Sequence, residues 1–288
     1  ECTPAQHLYR RARMTPWAGV PDPEWPQISP RAWLRIFAKG FCLAGVVFGG
    51  LAVLLLTRLI ERPFYGLHRP ITPHITVTVC RIALFIISLS VVRRGTPLHE
   101  PGAMVVNHAS WLDVFVLNSS RALYFVSKAE VASWPGIGWL ARATGTLFIR
   151  RDPREAMVQR QAMESRLLAG HQLLFFPEGT STDGRRVLKF RSTLFAAFFS
   201  DALHHAVSLQ AVSMIYHAPR DADVRFYGWW GDMSFGRHLL MVLASPRHGH
   251  VELIYHPPIR VDAYPNRKSL AATLEAQVRN GHPALNTL

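Results

Sequence analysis

The fold class that the sequence predicts is α/β, preceded by a membrane-anchoring two-helix segment, and three observations predict it. From Gly95 onward, apolar runs of strand length alternate with stretches of helical spacing, the pattern of layered strands and helices. Gly40 to Thr57 is a run of 18 residues without a charge, bracketed by Arg35 and Lys39 before it and by Arg58, Glu61 and Arg62 after it. A hydrophobic content of 49% over 288 residues is enough to bury a full core in one large domain with an appendage.

At the N-terminus, Glu1 to Arg13 is polar and basic and stands outside the fold, with Met14 as the expected first residue. Pro16, Pro21, Pro23, Pro26 and Pro30 prevent regular structure, so residues 1–30 are expected as a disordered or extended tail. Residues 31–92 are expected as membrane-anchoring helices. The uncharged run is just long enough to span a bilayer, and Phe41, Leu43, Val46, Val47, Phe48 and Leu51 leave it no polar face. Gly45 and Gly49 have the spacing that lets another helix approach closely. That partner is expected in Ile71 to Val92, which His74 and Arg81 interrupt, as an amphipathic helix running into a strand near Ile86 to Arg93. The pair would dip into one leaflet or cross it, holding residues 93–288 against the lipid.

The charge points the same way. Thirty-two Lys and Arg against 19 Asp and Glu give +13 and a pI near 10.5, so an anionic partner is expected. No zinc knuckle, RNP-like strand or helix-turn-helix spacing is present, and the basic residues are interleaved with apolar runs, which favours a membrane surface over nucleic acid. Cys2, Cys42 and Cys80 are odd in number and far apart. They give no disulfide framework or metal site, and the expected location is the cytoplasmic face of the cell membrane.

Within residues 93–288 the expected strands are Ala103–Val106, Leu123–Val126, Thr146–Ile149, Leu173–Phe176, Leu209–Ile215 and Val251–Tyr255. Helical spacing is found between them at Trp111–Leu117, Gly138–Ala143, Arg154–Leu168, Thr193–Leu203 and Ser269–Arg279.

Asn107-His108-Ala109-Ser110-Trp111-Leu112-Asp113 carries the chemistry. An imidazole accepts a proton near neutral pH, and a carboxylate on its other nitrogen fixes the tautomer and stabilises the imidazolium. Five residues on a helix amount to roughly 500°, which leaves the two side chains about 140° apart, so His108 must lie in the turn before the helix. Ser110 with Asp113 has the capping-box form that opens a helix there. The same carboxylate could serve only the backbone donors of that helix, with His108 an ordinary turn residue. Three further stretches are candidates for anion binding. Phe176 to Ser181 follows a strand and can present backbone N–H groups from Gly179 and Thr180. Arg185, Arg186, Lys189 and Arg191 follow it without an acid among them, and Gly145 to Arg151 ends a strand with two guanidiniums suited to phosphate.

Together these stretches resemble the glycerolipid acyltransferase superfamily, the 1-acylglycerol-3-phosphate and related lysolipid O-acyltransferases. Four blocks match in order: Asn107 to Asp113, Gly145 to Arg151, Phe176 to Ser181, and Gln210 to Ser213, where Ala211 replaces the usual proline. The resemblance covers about Val92 to Arg260. It implies a mixed sheet flanked by helices, His108 as general base and Asp113 as its orienting partner. It also implies that Arg151, Glu178, Gly179 and Thr180 position the acceptor head group, with Arg185 and Arg186 as further anion-binding residues. No cofactor or metal is implied. The co-substrate would be an acyl thioester of acyl-carrier protein or coenzyme A, and the acceptor a lysolipid hydroxyl. The run from Gly179 to Leu188 is closest in motif to bacterial lyso-ornithine lipid O-acyltransferases, because Ser181 stands where the phosphatidic-acid-forming branch often has Arg; the alternative is a 1-acylglycerol-3-phosphate acyltransferase making phosphatidic acid, its acceptor phosphate bound by Arg151, Arg185 and Arg186. An ornithine head group carries an ammonium, for which Glu178 is the only acid in that block.

Other classes make different demands. A metal phosphohydrolase needs a ligand set that His204, His205 and His238 do not form by spacing. A non-catalytic lipid-binding protein would need neither His108 nor Asp113.

Overall fold

The computed structural model describes residues 17, 19–25, 27–150 and 152–282. Helix α1 covers Pro30–Tyr65, longer at both ends than its uncharged run. Ser29 caps it by accepting the N–H of Ala32 at 3.3 Å, and Pro30 opens it where no amide donor is needed. Helix α2 covers Thr72–Ile87. Buried Glu61 ties the two together: its carboxylate accepts the N–H groups of Ile71 (2.7 Å) and Thr72 (3.2 Å) and the Thr72 hydroxyl (2.7 Å), satisfying donors that the start of α2 would leave open. The close approach between the helices is at Gly50, where a Cβ would lie 2.3 Å from Val79. Gly45 and Gly49, the expected contact pair, face nothing within 4 Å. That spacing sits on the outer face of α1, and the helix meets its partner at Gly50 instead.

The remaining elements are β1 (Ser90–Arg94), β2 (Gly102–Val106), α3 (Asp113–Ser120), β3 (Tyr124–Lys128), α4 (Ile137–Ala143), β4 (Leu147–Ile149), α5 (Ala156–Leu168), β5 (Gln172–Phe175), β6 (Ser208–His217), α6 (Phe235–Ala244), β7 (His250–Tyr255), β8 (Ile259–Arg260) and α7 (Arg267–Asn280). Every expected strand is present. The stretch Thr193–Leu203 forms a 3₁₀ helix over Ser192–Phe199 rather than an α-helix, and α6 was not anticipated.

The strands form one eight-stranded mixed sheet in the order β1-β7-β6-β2-β5-β3-β4, with β8 also on β6. Strands β6, β2, β5, β3 and β4 run parallel to one another, whereas β7 and β8 pair antiparallel with β6. The parallel strands therefore end at one edge, where an open sheet of this kind places its ligands. Strands β2 and β5 at the centre are buried throughout, which is why they read as continuous apolar runs.

The helical hairpin is built into this core. Ala32, Ile36 and Leu43 of α1 and Ala83, Leu84 and Ile87 of α2 share one buried cluster with Leu112, Val116 and Leu117 of the dyad turn and α3. Both ends of the hairpin are also tied down: Arg35 donates to Ala244 O at 2.9 Å, and Arg69, in the α1–α2 turn, donates to Ala143 O at 3.0 Å. By length and composition α1 is the one described helix able to cross a membrane. Its outward face exposes Phe37, Phe41, Phe48, Leu56, Leu59, Ile60 and Phe64, an apolar strip far larger than a water-soluble surface normally carries. Residues 19–25 and 27–29 have no regular structure, and they lie across the α/β part: Trp230 Nε1–H donates to Val20 O at 3.1 Å, and Trp25 packs edge-on against Phe226 and His238.

Candidate active site

His108 follows β2 and Asp113 opens α3, so the turn between them brings the two side chains together at the end of the central strand. His108 Nδ1 lies 2.7 Å from Asp113 Oδ2. That same oxygen accepts the N–H groups of Ala109 (2.9 Å) and Ser110 (3.1 Å), so the carboxylate caps the helix and holds the imidazole at once. Since a carboxylate only accepts, Nδ1 carries the hydrogen and Nε2 is left with its lone pair free. Phe176 stacks on the imidazole at 4.1 Å and 13°, which fixes the ring plane.

The turn is held from every side. Asn107 pairs with β6, its amide donating to Met214 O and its carbonyl accepting Met214 N–H, both at 2.8 Å. His108 O accepts the N–H of Thr182 at 2.9 Å, and Ala109 O accepts that of Trp229 at 2.8 Å. Tyr216 donates its hydroxyl to Asp113 Oδ1 at 2.8 Å. Burial, then the charge of Asp113, raises the Tyr216 phenol well above its usual value, so it remains a donor. With Tyr216 in place, the fully buried Asp113 has both oxygens satisfied. Sequence reasoning missed Tyr216, which lies 103 residues away on a uniformly buried strand whose pattern marks no residue as special.

The third block sits beside the dyad. Gly179 adopts φ +75°, a left-handed turn that a side chain would strain. Glu178 is buried, and its two oxygens accept the N–H groups of His108 and Leu188, each at 2.8 Å. It clamps the dyad turn to the 178–188 loop and offers no free oxygen to a ligand. Burial pushes its carboxyl up to about 8, against the pull of the two amide bonds. A carboxyl raised above its ordinary 4.5 stabilises the fold most when protonated, and that contribution is lost as pH rises through about 8. Thermal unfolding of wild type and Glu178→Gln should therefore show the wild-type advantage shrinking between about pH 5 and about pH 8. A constant difference would mean that Glu178 stays ionised.

Thr180 Oγ1 accepts the N–H of Trp17 at 3.4 Å. Arg186 is spoken for, held by both oxygens of buried Asp183 at 3.1 and 3.0 Å and lying over the Trp17 ring at 4.6 Å. The acid was overlooked because it stands just before the basic run. Arg185 is half-buried, with only its backbone N–H bonded to Asp183. Arg191 donates to Glu178 O at 3.2 Å. Arg151 lies outside the described residues. His238 is fully buried, accepting Trp111 Nε1–H at 2.8 Å and donating to Phe226 O at 3.2 Å; burial lowers it to about 4, so it is a neutral structural residue.

Chemically, the site presents one free imidazole nitrogen, backed by a saturated carboxylate, beside a turn of backbone amides. Comparison with known proteins identifies the family. A family profile described as Acyltransferase matches residues 90–213. The lyso-ornithine lipid O-acyltransferase of Rhodobacter capsulatus is 53% identical over 267 residues, covering 92% of this chain and 96% of that protein. The protein of the same name from Brucella abortus is 36% identical over 202 residues, covering 65% of this chain and 74% of the other. Among solved structures, the 1-acyl-sn-glycerophosphate acyltransferase PlsC of Thermotoga maritima matches with a TM-score of 0.63 at 20% identity, covering 90% of this chain and 97% of that one. The chain belongs to the acyltransferase family and is a lysolipid O-acyltransferase.

Proposed function

We propose that this enzyme moves an acyl chain from an acyl thioester to the free hydroxyl of lyso-ornithine lipid, with His108 as general base. The observation that carries the chemistry is the 2.7 Å contact between His108 Nδ1 and Asp113 Oδ2. It leaves Nε2 to take the proton of the lipid hydroxyl as the oxygen attacks the thioester carbonyl. Collapse of the tetrahedral intermediate breaks the C–S bond, and the imidazolium returns the proton to the departing thiolate. No acyl-enzyme is required. Asp113 and Tyr216 act through His108 as positioning residues, and Glu178 positions the turn rather than the substrate.

The choice of acceptor is supported by the 53% identity to a lyso-ornithine lipid O-acyltransferase across nearly its whole length. It is supported also by Ser181, which removes a positive charge, and by Asp183, which neutralises Arg186. Arg151, Gly179 and Thr180 remain the residues proposed to meet the acceptor, with Arg185 beside them. The donor is acyl-carrier protein or coenzyme A thioester, either of which suits a basic chain. The enzyme sits on the cytoplasmic face of the cell membrane, with the outer face of α1 in lipid. Because both ends of the hairpin are tied to the α/β part, α1 lies along the leaflet rather than through it.

The test is acylation by the full chain in detergent, with matched lyso-ornithine lipid and lysophosphatidate and a labelled thioester. Turnover of the ornithine acceptor at least about tenfold above the phosphate acceptor is expected, the size of one charge-dependent interaction. Preference for lysophosphatidate would overturn the acceptor and leave the acyltransferase reading intact.

A further inference from the structure

At the edge of the sheet opposite the dyad, where β3 and β5 begin, the α1–α2 turn meets cationic groups that acyl transfer does not use. Arg69 of the turn donates to Ala143 O at 3.0 Å, and Arg166 of α5 donates to Gly145 O at 2.8 Å. The guanidiniums converge on Gly145, where a Cβ would lie 2.9 Å from Arg69 Nη1. Arg166 also lies over the Tyr124 ring at 4.4 Å, and that ring stacks on His171 at 4.3 Å. The Arg166 Nε is buried without a hydrogen-bond partner.

Charge in this corner does not balance. Glu61 is engaged by Arg58 at 3.3 Å and by the start of α2, whereas Arg69 and Arg166 reach only carbonyls. Burial first, and then neighbouring guanidinium charge, lowers both arginines, Arg166 to about 10. Half-buried like charges repel, Glu61 offsets this only in part and only at Arg69, and an anion with several oxygens would relieve them. The surroundings name the kind of anion. Phe64, Tyr65, Leu67 and Ile71 are exposed around Arg62 and His68, mixing apolar and cationic side chains as a membrane interface requires. Beside the turn, an open groove of about 400 Å³ runs between α1 and α2, lined by Gly50, Val53, Ile71, His74 and Val79.

We propose that Arg69 and Arg166 form a binding site for the phosphate of an anionic membrane phospholipid, with one of its acyl chains in the α1–α2 groove. The site is separate from the acyl-transfer site and holds the hairpin at a fixed depth in an anionic leaflet. A phosphodiester suits it because each guanidinium can present two donors to non-bridging oxygens.

The experiment is native mass spectrometry of the full chain, released from neutral-detergent micelles containing equal amounts of phosphatidylglycerol and phosphatidylcholine. Wild type is expected to retain phosphatidylglycerol about tenfold over phosphatidylcholine, and R69Q/R166Q to retain the two about equally. Turnover of lysolipid by that variant in micelles should stay within about twofold of wild type, since neither residue lies by the dyad. Equal retention of both lipids by wild type overturns the proposal, and that comparison needs no variant. So does an undiminished preference in R69Q/R166Q or, should that variant not fold, in both single variants R69Q and R166Q. Displacement of phosphatidylglycerol by millimolar inorganic phosphate would also overturn it, by showing a site for free phosphate instead of a lipid head group.

Discussion

His108→Ala is expected to lower turnover by about 10²–10⁴ while leaving the fold in place. The ring is 22% exposed, and its one described side-chain hydrogen bond goes to Asp113, so truncation removes a base and a stacked neighbour of Phe176 rather than a core residue. The contacts that shape the turn are made by the backbone at 108, whose N–H goes to Glu178 and whose carbonyl goes to Thr182, and alanine keeps both. Single-turnover acylation with saturating lysolipid, set beside thermal unfolding, separates the two effects. Activity within a few-fold of wild type would remove His108 from the mechanism.

Asp113→Asn should approach the same loss in rate with a modest cost in stability. An amide can keep its oxygen toward His108 Nδ1 and the N–H groups of Ala109 and Ser110, and turn its nitrogen toward Tyr216. The helix cap survives, and the disturbance at Tyr216 costs about 1–3 kcal/mol. What is lost is the negative charge that stabilises the imidazolium as it forms, worth about 10²–10⁴ in rate with KM little changed. A carboxylate that served only as a cap would give the opposite outcome, lower stability with specific activity spared. Tyr216→Phe grades the argument: it leaves the charge and removes one restraint, so kcat should fall by about tenfold without a change in KM. Loss in KM alone would mean that Tyr216 shapes the acceptor site instead.

The shared core of hairpin and α/β part also bears on the anchor. Removing residues before about Arg93 would strip Leu112, Val116 and Leu117 of their covering from α1 and α2, directly beneath the dyad turn. The apolar hairpin and the dyad turn are therefore two features of one packing unit.

By itself the sequence determined the α/β alternation, the strand positions, the apolar first helix and the spacing that puts His108 and Asp113 on either side of a helix start. These are local: they follow from side-chain period, from the angle per residue of a helix and from the chemistry of a cap, none of which needs a distant partner. Only the tertiary structure decided what Glu178, Arg186 and Tyr216 do. A glutamate in a turn reads the same whether it faces solvent or clamps two backbone amides, and burial against His108 and Leu188 settled that it clamps. Arg186 reads as an anion site until Asp183, three residues before it, is seen to fold back onto its guanidinium. Helix α6 escaped because Phe235–Ala244 lies between an aromatic loop and a strand, where a short apolar run fits helix and strand alike. The contact glycine on α1 was misplaced by one residue, from Gly49 to Gly50, because a helix apolar on all sides does not reveal which face meets its partner until the partner is in place.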